Sequence, residues 1–200
     1  MIRPKVMHRY VLDLCRQIAP DQSPLVVPVT PDPGTVAREC FWNVSQKCGR
    51  DGGDIQHGWA IWELPGLFIE AEFHAVWLNG GQLIDVTPKE DGENDILFLP
   101  DPIAKFDEAT FSRRDNVRLA ELDHPKVAAY IKACEDLFLL EEAGSVPGDP
   151  SLFMVERAVH DRCQARKSEC AQDMTRIPQG RYDMCRCGSA KKFKFCCGSR

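Results

Sequence analysis

The sequence lacks any long apolar run. Its opening residues, Met1 to Lys5, include a proline and two basic side chains, and the positions that follow alternate polar with apolar residues. A signal peptide needs an unbroken apolar stretch and a membrane helix needs roughly 20 apolar residues, and neither is found. We therefore expect a cytoplasmic protein that does not contact a membrane.

Internal repeats and low-complexity segments are also lacking. What remains is a chain of 200 residues with 44% hydrophobic content. That length is enough for one ordinary domain with a buried core plus an appendage, and too short for two full domains.

Cysteine, in contrast, is plentiful. The chain has ten cysteines, and four of them fall within the thirteen residues 185–197. Without a secretory signal, and with this crowding, a disulfide framework is not the expected use. The cysteines instead indicate a reducing compartment.

Acidic residues are scarce only at the C-terminus. Residues 181–200 carry six Lys or Arg against the single acid Asp183, whereas the rest of the chain carries a net charge of about −10. A basic tail can contact nucleic acid or an acidic protein surface, but a patch this small more often compensates a local negative charge. We do not expect a nucleic-acid partner.

Hydrophobic periodicity predicts an α+β fold in which an antiparallel sheet packs with helices and is followed by further helices and a small C-terminal module. The predicted helices cover residues from about 6 to 18, about 35 to 48, 125 to about 143 and 151 to about 174. The predicted strands cover 59–64, 67–78, 82–87 and 96–99, with an acidic loop at 88–95 and a linker at 144–150.

The tail has the spacing of a zinc site. Cys185 and Cys187 are separated by one residue, and Cys196 and Cys197 follow after eight more. Four thiolates in two clusters suit tetrahedral Zn²⁺, and metal binding supplies the folding free energy that so short a segment cannot gain from burial. The neighbouring lysines and arginines offset the −2 charge of such a site.

The segment from Cys185 through Arg-Cys-Gly-Ser-Ala-Lys-Lys-Phe-Lys-Phe to Cys196-Cys197-Gly resembles the SEC-C motif, the zinc-binding tail of SecA-type translocases. The resemblance covers the last sixteen residues. It implies a bacterial source and a module that docks a protein partner or the ribosome, and it does not identify the main domain.

A second constellation consists of Cys40, His74 and Asp85. A nucleophilic cysteine needs a base that generates its thiolate, and the imidazole needs an acceptor that fixes its orientation. A two-residue turn at Asn79-Gly80 pairs position 74 with position 85 across a hairpin, with both side chains on the polar face. The alternative is an ordinary ion pair on a solvated face, with Cys40 a buried helix residue.

Residues 36–88 resemble the core of papain-like and transglutaminase-like cysteine enzymes in the stretches around Cys40, His74 and Asp85. The resemblance implies that the cysteine forms a thioester, the histidine shuttles the proton and the aspartate orients the ring. Asn43, one turn after Cys40, is interpreted as a helix-surface amide, with an oxyanion role left open. His57 is interpreted as a loop histidine.

Together these patterns predict a papain-like or transglutaminase-like domain at 1–144, a helical linker at 151–180 and a SEC-C motif at 181–200. Two functions remain open. One is a cysteine hydrolase or acyltransferase acting on an amide or isopeptide bond of a protein or peptide. The other is a non-catalytic, zinc-binding adaptor.

Overall fold

A computed structural model of the protein describes residues 1–90, 92–106, 114–146 and 149–199. The fold is α+β, as predicted, and the described residues form four helices and an antiparallel sheet. The chain forms two compact units, of which unit 1 is Met1–Glu63 with Ile69–Phe106 and unit 2 is Leu64–Phe68 with Asp107–Arg200. The three-part division at 1–144, 151–180 and 181–200 stays a prediction about domains.

Unit 1 contains two helices and the main sheet. Its helices are α1 (Arg9–Ile18) and α2 (Cys40–Asp51), and its strands are β1 (Leu25–Pro28), β2 (Asp54–Leu64), β3 (Phe68–Asn79, whose first residue belongs to unit 2), β4 (Gln82–Ile84) and β5 (Asp95–Pro100). The strand order is β1-β5-β2-β3-β4. β5 pairs antiparallel with β1 and with β2, and β4 pairs antiparallel with β3.

Strand β3 is buried on both faces, because alternate side chains enter two different cores. Val76 packs with Val27, Ala60, Ile96 and Phe98. Its neighbours Ala75 and Trp77 pack with Val86 and with Val44 of α2. The aromatic side chains of β2 and β3 are buried at Trp59, Phe68, Phe73 and Trp77, and half-buried at Trp62.

The hairpin between β3 and β4 differs from the prediction in its turn. Trp77 pairs with Ile84, and Asn79 pairs with Gln82. The turn residues are therefore Gly80 and Gly81, at φ 56° and 80°, instead of Asn79 and Gly80. Two consecutive glycines accept the two positive φ values of such a turn without steric cost. The predicted assignment of side chains to the two faces of the hairpin is unchanged, because odd-numbered residues of β3 still pair with even-numbered residues of β4.

Unit 2 holds β6 (Val117–Ala120), α3 (Pro125–Ala143), β7 (Ser145–Val146), β8 (Asp149–Phe153) and α4 (Arg157–Thr175), followed by two short 3-10 turns, Phe193–Phe195 and Cys197–Ser199. Its core joins Leu67, Phe68 and Val127 with Met174 and Ile177. As predicted, Pro125 lies in the first turn of α3.

The last helix begins later than predicted. Strand β7 lies in the stretch interpreted as a linker, and β8, which pairs antiparallel with it, extends to Phe153 in the predicted helix. Helix α4 therefore starts at Arg157 instead of residue 151. Its buried residues are Cys170 and Met174. The helix therefore docks by its C-terminal half. No helix in the described part of the chain has the length and apolarity needed to cross a membrane.

Candidate catalytic site and metal centre

Cys40 is the first residue of α2. The prediction of a helix from about Thr35 was wrong, because Arg38 adopts a left-handed conformation at φ 70° and Glu39 is not helical either. The cysteine therefore lies at the helix N-terminus, next to the partial positive charge of the first-turn N–H groups. Its side chain is buried, with 6% of the residue exposed.

His74 and Asp85 form a buried hydrogen-bonded pair. Nε2 of His74 donates to Oδ2 of Asp85 at 2.9 Å. The residues are 4% and 0% exposed. The pair is therefore not exposed to solvent, as the alternative of an ion pair on a solvated face required.

The pair meets although the predicted register was wrong. In the observed register, the extension of β4 places Asp85 diagonally from His74 on the same face of the hairpin, not directly opposite it. Asp85 itself lies just beyond β4. There its backbone N–H donates to Pro28 O at 2.9 Å and its carbonyl accepts from Thr30 N at 2.8 Å. These bonds fix the carboxylate against the end of β1, which the sequence pattern did not reveal.

The charge state of the pair follows from its surroundings. Burial lowers the pKa of His74, but the charges of Cys40 and Asp85 and hydrogen bonds to both outweigh burial and raise the pKa to about 10. Burial raises the pKa of Asp85, and the charges of His74 and Lys89 with their hydrogen bonds more than reverse this and lower it. Both shifts favour an imidazolium beside a carboxylate near pH 7.

Lys89 is the site residue that the sequence analysis missed. Its Nζ lies 2.6 Å from Asp85 Oδ2 and 3.3 Å from His74 Nε2. The sequence placed it in an acidic loop, interpreted as solvated, and its spacing of four residues from Asp85 was the one available signal. Its side chain is only 12% exposed.

Asn43 is neither a surface amide nor a free oxyanion donor. It is buried, its Nδ2 donates to Val36 O at 2.7 Å and to Thr87 Oγ1 at 3.1 Å, and its Oδ1 accepts from Val36 N at 3.1 Å. These bonds tie the segment before Cys40 to the segment after Asp85. Asn43 therefore fixes the entry to α2 in place.

Other candidates differ from the catalytic set. His57 lies in β2, not in a loop, and stacks with Phe41 and Phe73 at centroid distances of 6.0 and 6.2 Å. Burial raises the pKa of the Cys15 thiol to about 11. Burial and the charge of Asp54 also raise the pKa of Cys48. These two thiols therefore stay protonated near neutral pH.

The four tail cysteines come together as predicted. The Sγ atoms of Cys185, Cys187, Cys196 and Cys197 all lie within 4.8 Å of one another. Two of the separations are 3.4 Å, between Cys187 and Cys196, and 4.0 Å, between Cys196 and Cys197. Zn–S bonds of about 2.3 Å place tetrahedral sulfur atoms about 3.8 Å apart. The cluster therefore fits a metal ion such as Zn²⁺, and each of its cysteines is free of disulfides.

Backbone geometry explains how so short a segment gathers four thiols. Gly188, at φ 75°, allows the chain to turn between the two pairs, and its N–H donates to Cys185 O at 3.1 Å. Ser189 Oγ donates to Cys196 Sγ at 3.1 Å, which links the turn to the second cysteine pair. Of the two phenylalanines between the cysteine pairs, Phe193 is half-buried and Phe195 is exposed.

Comparison with known proteins does not place the chain in a family. No protein-family model matches the chain, and searches of the curated proteins and of the solved structures also gave no match. The functional argument therefore rests on the residues themselves.

Proposed function

We propose that the protein is a cysteine hydrolase or acyltransferase that acts on an amide or isopeptide bond of a protein or peptide, with Cys40, His74 and Asp85 as its catalytic residues. The observation that carries this is the buried His74 ring, which bonds Asp85 through Nε2 and is influenced by Cys40 through hydrogen bonding and charge. The resemblance of residues 36–88 to papain-like and transglutaminase-like enzymes agrees with these roles.

In the first half-reaction, the Cys40 sulfur attacks the carbonyl carbon of the substrate, and the carbonyl π electrons move to oxygen. Collapse of this oxyanion breaks the C–N bond as His74 transfers its proton to the leaving nitrogen. The products are an amine, a thioester on Cys40 and a neutral imidazole. The first-turn N–H groups of α2 provide favourable partial positive charge near the oxyanion.

In the second half-reaction, neutral His74 takes a proton from water or from an acceptor amine, which attacks the thioester carbon. The C–S bond breaks and restores the thiolate and the imidazolium. Water gives hydrolysis and an amine gives acyl transfer. Asp85 keeps its negative charge throughout, orienting the ring and stabilising the imidazolium.

The tail has a separate role in this proposal. The four-cysteine cluster holds Zn²⁺ and folds the last sixteen residues into a docking module, as the SEC-C resemblance implies. This module recruits a protein partner in the cytoplasm, and the zinc ion takes no part in the bond cleavage.

The test is acylation of the zinc-loaded, full-length protein by p-nitrophenyl acetate near pH 7. We expect a stoichiometric burst of nitrophenolate and an acetyl group on the Cys40 peptide in the mass spectrum. Cys40→Ser removes the acetyl thioester and His74→Ala suppresses the burst. Cys48→Ser is the matched control, since it removes another cysteine of α2 and leaves the burst intact. A burst that survives Cys40→Ser would contradict the proposal.

The adaptor function has one observation in its favour. Tyr182, three residues before the zinc module, and Phe195, within it, are each 66% exposed. Exposed aromatic side chains are common at protein interfaces. In this second reading the His74–Asp85 pair is structural, and no cysteine of unit 1 becomes acetylated before the protein unfolds.

A further inference from the structure

Lys89 completes a buried set of four charges. Asp85 Oδ2 accepts from both His74 Nε2 and Lys89 Nζ, and Asp85 Oδ1 accepts from the backbone N–H of Thr87 at 2.9 Å. Three donors therefore hold one carboxylate that has no exposed surface. Each donor restricts how the carboxylate can rotate.

Lys89 balances the net charge of the buried site. A Cys40 thiolate, a His74 imidazolium and an Asp85 carboxylate sum to −1, and Lys89 brings the set to zero. After acylation, the thioester and the imidazole are both neutral, and Asp85 and Lys89 again sum to zero. Because an uncompensated charge is costly in a buried site, the lysine stabilises both states of the proposed cycle.

The lysine also acts on the ring. A positive charge 3.3 Å from Nε2 repels the imidazolium, in opposition to Cys40 and Asp85. Without this repulsion the ring would hold its proton more tightly and release it less readily to a leaving nitrogen. The charged groups that face the ring are thus Cys40 from α2, Asp85 from the end of β4 and Lys89.

We propose that Lys89 is a positioning residue that neutralises the buried Asp85 carboxylate and sets the pH range over which His74 holds and releases its proton. This inference rests on the proposed function. It assigns to the same site a fourth residue that controls its pH response.

The test is ¹⁵N NMR of the histidine rings in the zinc-loaded full chain, with the His74 signals assigned by their loss in His74→Gln. Wild-type His74 is expected to be about half protonated near pH 10. Lys89→Met should raise that pKa by about one unit, leaving the ring about nine-tenths protonated at the same pH. Lys89→Arg keeps the charge and should restore the wild-type value.

Lys5→Met is the matched control, because it removes an exposed lysine from the same unit. It should leave the His74 titration unchanged. If Lys89→Met does not fold, Lys89→Gln carries the same prediction with a shorter, polar side chain. A His74 pKa that stays within about 0.3 units of wild type, or that falls, would overturn the inference.

Alkylation of Cys40 by iodoacetamide in the same samples separates the two proposals. A wild-type Cys40 that reacts only after unfolding would refute the catalytic proposal, and the NMR titration would still report on Lys89. A reactive Cys40 with a His74 titration indifferent to Lys89 would refute this inference alone.

Discussion

The raised pKa of His74 predicts how the stability of unit 1 changes with pH. An unfolded histidine has a pKa of about 6.5. The folded ring has a pKa of about 10. Between pH 6.5 and pH 10 the folded ring therefore holds a proton that the unfolded ring has lost. The ring's stabilising contribution is therefore complete below pH 6.5 and is lost as the pH rises through 10.

The contribution of the His74 proton to stability is clearest above pH 8.5, because an unfolded cysteine has also lost its proton there. The proton on the folded ring is then an extra bound proton whether Cys40 is a thiol or a thiolate. One extra bound proton changes the free energy of unfolding by about 1.4 kcal/mol per pH unit. Because the ring is already about half deprotonated at pH 10, His74 should account for a loss of roughly 1 to 2 kcal/mol from pH 8.5 to 10. His74→Gln should lack this part of the decline.

The assay is urea unfolding at several pH values, followed by tryptophan fluorescence. All four tryptophans lie in unit 1, so the signal reports that unit. His8→Gln is a matched control, because His8 makes a 2.9 Å bond to Glu63 but keeps 30% of its side chain exposed. If wild type and His74→Gln decline in parallel from pH 8.5 to 10, the folded ring is not protonated and the reasoning fails.

The zinc module, the Asp85 carboxylate and two glycines of unit 1 each give a further prediction. Metal analysis should find about one zinc per chain, and chelation should disorder residues 185–199 while leaving the tryptophan emission unchanged; metal-free protein with an ordered tail would contradict this. Asp85→Asn should lower the rate of the acetylation burst by about 100-fold, and an unaffected burst would exclude an orienting role. Gly58→Ala should lower the free energy of unfolding in urea by about 3 kcal/mol, because its Cβ would lie 2.2 Å from Leu99 O. Gly49→Ala should instead stabilise α2 by up to about 1 kcal/mol, because its Cβ would have nothing within 4 Å.

Features that depend on residues close together in the chain could be predicted from the sequence. The α+β class, α3 and the clustering of the four tail cysteines follow from hydrophobic periodicity, a proline at a helix start and cysteine spacing. Each of these depends on residues within a few positions of one another, where local geometry leaves few alternatives.

Features that depend on distant residues were not predictable. The start of α2 is set by the left-handed Arg38 and by the bonds between Asn43 and Val36. The burial of Asp85 depends on β1, which no hairpin pattern can place. Lys89 was hidden for the same reason, since a lysine in an acidic loop has the sequence signature of solvated surface.

The central claim is that Cys40 acts as a thiolate beside His74. The most direct measurement is the rate at which iodoacetamide modifies each cysteine of the zinc-loaded protein near pH 7, read by mass spectrometry. Cys40 should react faster than Cys15, Cys48 and Cys134, and His74→Ala should remove that advantage. If Cys40 is modified only on unfolding, at a rate indifferent to His74, the cysteine is structural and the catalytic proposal is wrong.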